Sequence, residues 1–122
     1  MGATNFQCKT FEELRNEELY KILRLRAEVF ILEQDCLYQD IDNADQKALH
    51  IFASKESQVM AYSRILEPGI KYPEASIGRI ITRENMRGLG IGKLLVEESI
   101  AQCFKRWPKN NVSISAQRRL EM

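Results

Sequence analysis

Arg87-Gly88-Leu89-Gly90-Ile91-Gly92-Lys93 is the stretch on which the reading of the fold turns. Three glycines at alternate positions permit a tight turn and close approach of the backbone to a bound group. Before it lies S-I-G-R-I-I-T, residues 76–82, rich in β-branched side chains and predicted as a strand. After it, Val96, Ile100, Cys103, Phe104 and Trp107 recur at helical spacing. They predict a helix over 91–107 that Pro108 ends. The start of a helix leaves N–H groups free and carries the positive end of the dipole. A glycine loop feeding such a start is an anion site suited to a phosphate or pyrophosphate. Arg87 and Lys93 add positive charge at its mouth.

Upstream, Thr10-Phe11-Glu12-Glu13 has the form of a capping box, and Asn16 is a second cap candidate. Leu19, Ile22, Leu23, Ala27 and Phe30 then mark one face of a helix running from 16 to about 33. Residues 35–46 are polar and acidic and read as a solvated loop. Short strands are expected at 5–9, 49–54, 59–66 and 112–115, with a hairpin turn at 54–58. The step from 76 through 112 is expected to be a right-handed crossover between parallel strands. The expected architecture is thus an α/β domain with a mixed sheet, spanning 1–122 as one unit.

Composition sets the outer bounds. The chain has 122 residues, 44% hydrophobic and 29% charged. That is an ordinary globular balance and room for one core. Lys plus Arg is 18 against 17 for Asp plus Glu, so the chain lacks the basic excess of a nucleic-acid binder. No apolar run approaches a membrane span. Cys8, Cys36 and Cys103 are odd in number and widely spaced. They read as reduced thiols in a cytoplasmic protein. His50 is the only histidine, and no metal-ligand pair of the C-x-x-C kind exists, so no metal site is expected.

Three phosphate-binding patterns compete for the glycine loop. A P-loop needs glycine at 87 and Ser or Thr at 94, where Arg and Leu stand. A dinucleotide loop needs a third glycine at 93, where Lys stands, and an acid about 20 residues on. The pattern R/Q-x-x-G-x-G/A is met in full by Arg87, Gly90 and Gly92. Between a strand and a helix it resembles the coenzyme A loop of the GNAT (Gcn5-related) N-acetyltransferases. The resemblance extends to the ElaA-like branch of that superfamily. It runs through Leu25-Arg26-Ala27-Glu28-Val29-Phe30, Glu33-Gln34, Tyr38-Gln39-Asp40-Ile41-Asp42 and His50-Ile51. It continues through Ala61-Tyr62-Ser63-Arg64-Ile65-Leu66, Ile77-Gly78-Arg79-Ile80-Ile81, Trp107-Pro108 and Ala116-Gln117.

The resemblance implies transfer of an acetyl group from acetyl-CoA to an amine of a small molecule or peptide. It implies that backbone amides of Arg87, Gly88, Leu89, Gly90, Ile91, Gly92 and Lys93 hold the pyrophosphate. Ile80, Ile81 and Thr82 would pair with the pantetheine arm, the next strand splaying away to make room. A strand N–H near Ile81 would polarise the thioester carbonyl. The acceptor side maps onto Arg26, Phe30, Glu33, Gln34 and Arg79. Glu33 is the candidate catalytic carboxylate, the alternative being a solvated acid at a helix end. Arg26 either faces that pocket or ion-pairs with surface acids, and Arg79 is either paired or pocket-facing. A non-catalytic acyl-CoA-binding or interaction protein is the alternative function, and a binder of another phosphate class a further one.

His50 begins an apolar strand with nothing near it in sequence to orient it, so it reads as structural. The run Asp40, Asp42, Asp45 resembles a calcium loop but lacks the required ligand at 44 and glycine at 45. Family relatives continue beyond the strand at 112–115 with another helix and two strands. The resemblance therefore implies a domain shortened at its C-terminus, expected to lack that helix, the two strands and the family's general acid. A bare sheet edge there is expected to favour a homo-oligomer.

Overall fold

The computed structural model describes residues 5–33, 40–83, 90–108 and 111–114. Its elements are β1 (Gln7–Thr10), α1 (Asn16–Ala27), a π-helical segment (Glu28–Glu33), a 3-10 turn (Asp45–Lys47), β2 (Leu49–Lys55), β3 (Gln58–Leu66), β4 (Ala75–Thr82), α2 (Ile91–Arg106) and β5 (Val112–Ile114). The strands form one mixed sheet in the order β1-β2-β3-β4-β5. β1 to β4 are antiparallel neighbours, and β5 joins β4 in parallel after the chain has passed through α2. This is the expected mixed architecture.

Alternation along the strands sends successive side chains to opposite faces. Ile51, Ala61, Ile65, Ala75, Ile77 and Ile80 meet Ile91, Leu95, Val96 and Cys103 of α2. Phe52, Tyr62 and Ile81 meet Ile22 and Leu25 of α1, with Val29 and Phe30 beyond it. Each large apolar side chain buried this way contributes about 1.5–3 kcal/mol. On the α2 face, Ser99 donates to the Leu95 carbonyl at 2.7 Å, so Ser63 is the donor in the 2.6 Å Ser63–Ser99 contact. That bond pins α2 to β3.

The box at Thr10 forms: the Glu13 N–H donates to Thr10 Oγ1 at 3.3 Å and the Thr10 N–H to Glu13 Oε1 at 2.9 Å. It organises a single turn. The long helix starts afresh, with Arg15 rather than Asn16 as its cap. The Arg15 N–H donates to the Glu18 carboxylate, which Lys9 of β1 also holds at 3.1 Å. The helix expected to reach residue 33 changes to π geometry at Glu28. Widening the turn keeps Val29 and Phe30 on the core face, so apolar spacing alone does not reveal the change. The β2–β3 turn places Glu56 and Ser57 at φ of 53° and 66°, the two-residue hairpin geometry that matches strand twist.

One irregularity positions the site. β4 pairs Ile81 with Tyr62 but Gly78 with Arg64, so two residues of β4, Arg79 and Ile80, oppose Ser63 alone. Arg79 is left-handed, with φ of 51°. This is a β-bulge whose left-handed position is normally glycine. The bulge shifts the side-chain parity: Ala75 and Ile77 face α2, then Ile80 does, and Ile81 faces α1.

Candidate active site

β5 pairs with β4 at Ala75, Ser76 and Ile77. Among the described residues, β5 does not pair with β4 beyond Ile77. A strand edge without a neighbouring strand offers N–H and C=O groups to an extended ligand. Ile80, Ile81 and Thr82 lie on β4 past Ile77. Arg83, just beyond, is anchored: its N–H donates to the Met60 carbonyl at 2.7 Å and its Nη1 to Glu28 at 3.0 Å.

The chain next enters the described structure at Gly90, which caps α2 at φ of 79°. The left-handed cap demands glycine, although a Cβ there would meet no atom within 4 Å. Ile91 and Gly92 are buried in the first turn, Lys93 is exposed, and no acid lies in that turn. The helix start thus keeps its positive character. Arg87, Gly88 and Leu89 lie outside the described residues, as does Gln34. Glu33 ends the π-helical segment, and its side chain is also outside the description.

The acidic loop is exposed at Asp42 and corrects the sequence reading at its two other acids. Asp40 and Asp45 are 8% and 5% exposed, far from solvated. With Asp42 they close a ring of alternating charge with three arginines. Arg26 Nε donates to Asp40 at 2.9 Å, and Asp40 accepts from Arg79 Nε at 2.8 Å. Arg79 Nη2 reaches Asp42 at 3.1 Å, and Asp42 accepts from both Nη atoms of Arg64 at 2.8 and 2.9 Å. Arg64 Nη1 reaches Asp45 at 3.0 Å, and Asp45 closes the circuit on Arg26 Nη1 at 2.9 Å. Among the described residues, Arg64 Nε is the one buried side-chain nitrogen or oxygen without a partner. Burial by itself raises the pKa of a carboxyl. The Arg64 hydrogen bonds and charge outweigh it at Asp42, holding that group at about 2. Arg26 and Arg64 do the same for Asp45, which is lowered.

Arg26 and Phe30 are 0% and 1% exposed and Arg79 is 5% exposed. Both guanidiniums are spent on the ring and Phe30 on the α1 core. These are the internal contacts the structure gives the three side chains expected at the acceptor side. For Arg79 this decides between the two alternatives in favour of pairing. For Arg26 the partners are buried acids of the 40–45 loop rather than surface ones.

His50 is fully buried against the same ring. Its Nε2 lies 2.9 Å from the Asp45 carbonyl, which only accepts, so Nε2 carries the proton. Nδ1 then accepts from the Tyr62 hydroxyl at 2.6 Å. Burial holds the imidazole below its usual pKa and pushes the Tyr62 phenol up. The structural reading of His50 stands, with both nitrogens occupied. Asp42, Asp45 and Arg64 were missed as a group. The available signal was an arginine on the apolar face of α1 and two more inside apolar strands, three buried cations requiring three anions.

A separate cavity of about 240 Å³ lies at the other end of α2, lined by Lys47, Leu49, Ile65, Arg106 and Trp107 among others. No helix of the described residues is long and apolar enough to cross a membrane.

Residues 9–117 match the model of the acetyltransferase (GNAT) family. The chain belongs to that family. It is 37% identical over 117 residues to a UPF0039 protein of Synechocystis, covering 95% of this chain and 76% of the relative. It is 38% identical over 111 residues to ElaA of Escherichia coli, covering 89% and 72%. The ElaA crystal structure superposes with a TM-score of 0.88 at 36% identity, over 95% of this chain and 80% of that one. An acyl-CoA N-acyltransferase from Pseudomonas aeruginosa gives 0.87 at 35%, over 94% and 80%. The GNAT fold and family support acyl transfer as the activity class.

Proposed function

We propose that the protein is a cytoplasmic N-acetyltransferase that uses acetyl-CoA and acts on a primary amine of a small molecule or peptide. The observation that carries this is that, among the described residues, β5 pairs with β4 no further than Ile77, and that the glycine-capped start of α2 follows β4 in the chain. Main-chain groups of Ile80, Ile81 and Thr82 hold the pantetheine arm as an added strand. Amides of the 87–93 loop hold the pyrophosphate on the helix start. Acetyl-CoA supplies a thioester whose carbonyl is open to attack by an amine. A strand N–H near Ile81 orients and polarises that carbonyl, and the rigid edge holds it for the amine; the Ile81 N–H itself faces Tyr62 of β3, in step with the Arg83 N–H on Met60. Glu33 is the candidate acceptor of the amine proton. His50 is set aside from that role because burial and its two hydrogen bonds keep it from substrate. Free Cys8 and Cys103 fit a reducing compartment.

Coenzyme A and acetyl-CoA are expected to raise the melting temperature, and ATP is not. At a hundredfold excess over Kd the stabilisation is about 2.7 kcal/mol. Gly90→Asp places a carboxylate against the pyrophosphate and is expected to weaken coenzyme A more than about tenfold. Gly90→Asn, which tolerates the left-handed cap without adding charge, is expected to retain binding. No stabilisation of the wild type by coenzyme A would sink the reading. Thiol release over an amine panel, against a buffer control, then separates the enzyme from a non-catalytic acyl-CoA binder.

Self-association belongs to the same proposal. β5 is the outer strand of the described sheet on that side, and Ile114 on it is half exposed. A second copy pairing there would cover both. Light scattering is expected to report a dimer or larger assembly at micromolar concentration, and a clean monomer would remove this element.

A further inference from the structure

We propose that the ionic ring is a clamp on the β4 bulge, which makes Arg79 a positioning residue for the acyl-CoA-binding edge. The inference rests on the assignment of that edge made above.

Arg79 occupies a left-handed backbone position that favours glycine, and Gly78 stands one residue too early to supply it. Something must hold an arginine there. Asp40 does so with two acceptors: its Oδ1 takes Arg79 Nε at 2.8 Å and its main-chain carbonyl takes Arg79 Nη2 at 3.0 Å. Asp42 adds a third contact at 3.1 Å. Asp40 is gripped in the same manner from the opposite side. Arg26 Nε reaches its Oδ2 and Arg26 Nη2 its carbonyl, both at 2.9 Å. Arg26 is fully buried on α1. The bulge is therefore anchored through one aspartate to the helix on the α1 face, and through Asp42 and Arg64 to the neighbouring strand.

The bulge decides which main-chain groups the edge presents. Ile81 pairs with Tyr62 only because β4 carries one extra residue. If Arg79 relaxed to extended geometry, the residues after it would slip by one against β3. Every group facing β3 would then exchange with the group facing the open edge. The Ile81 N–H, which faces β3 in step with the Arg83 N–H on Met60, would turn to the open edge and displace the groups now offered there. Holding Arg79 is thus a condition for offering the pantetheine arm the correct row of donors and acceptors.

Arg79→Ala and Arg79→Gly in the full chain remove the same guanidinium and the same ion pairs. They differ in their tolerance of positive φ. Isothermal titration with coenzyme A is expected to show affinity at least about tenfold weaker for Arg79→Ala. Arg79→Gly is expected to stay within about threefold of wild type, although both variants melt lower. Equal affinity in the two variants overturns the clamp, whether both bind or both fail. Amide hydrogen exchange over residues 80–83 gives a readout independent of the ligand. It is expected to be faster in Arg79→Ala than in Arg79→Gly, and equal rates again overturn the clamp. Should the wild type bind no coenzyme A, the acyl-CoA reading fails while the exchange comparison still decides the clamp. If either Arg79 variant does not fold, Asp40→Asn keeps the main-chain carbonyl contacts and should speed exchange at 80–83. Wild-type exchange there would overturn the proposal.

Discussion

Arg26→Met will destabilise the protein by about 3–5 kcal/mol, because it leaves the excess of one buried negative charge in the ring. Methionine fills much of the volume, so the loss measures charge rather than cavity. Asp40 loses two donors, one at its carboxylate and one at its carbonyl, and Asp45 loses one. Neither aspartate is free to rotate into water, since Asp40 stays bound to Arg79 and Asp45 to Arg64. A urea titration with an unchanged slope reads the effect. A loss below about 1 kcal/mol would place the pair among exposed salt bridges and would contradict its burial. Arg26→Lys is expected to recover little, because the Nε–Nη2 fork on Asp40 needs a planar guanidinium.

Acid is expected to weaken the fold in two stages, beginning well above the carboxylate range. The folded pKa of His50 lies below its unfolded value of 6.5. The unfolded chain therefore takes up a proton that the folded chain refuses, and stability falls as pH drops through 6.5. Its slope approaches about 1.4 kcal/mol per pH unit until the folded imidazole titrates. The groups around it are Tyr62, Asp45, Arg26 and Arg64; the two arginines oppose its protonation and Asp45 favours it. The second stage belongs to carboxylates whose folded pKa is depressed. Asp42, at about 2, and Asp45 contribute stability that is fully present above their unfolded values and lost as pH falls toward the folded ones. His50→Gln will remove the first stage and leave the second. Denaturant titrations between pH 7 and 4 that show the same slope in both proteins would assign the upper stage elsewhere.

The elements were legible because their signals are local. Alternating or continuous apolar runs placed β2, β3 and β4 within a residue or so of their observed bounds, and Pro108 placed the end of α2. The glycine at the start of α2 was legible because a left-handed position demands a residue type that stands out. The π-helical segment and the bulge were not. Each inserts a backbone irregularity that leaves local composition unchanged. The bulge leaves one trace, apolar residues at 75 and 77 followed by 80 instead of 79. Arg79 in the left-handed position conceals it, since a glycine is what marks such a site. The acidic loop was misread for a further reason. Its burial depends on arginines at 26, 64 and 79, supplied by three different elements. Ion pairing at that separation is a property of the closed fold and has no local pattern.

The ring also changes how substitutions combine. Each of its six members faces two partners of opposite charge, and all but the exposed Asp42 are buried, so removing one leaves at least one other charged in a medium that penalises lone charge. Replacements there will not add. A single change is costly, whereas a second that deletes a neighbour of opposite sign restores neutrality and offsets part of the first. Variation at residues 26, 40, 42, 45, 64 and 79 is therefore free to proceed only in matched pairs. The helix, the loop and the two strands that carry them are bound to one another's sequence as firmly as to one another's position.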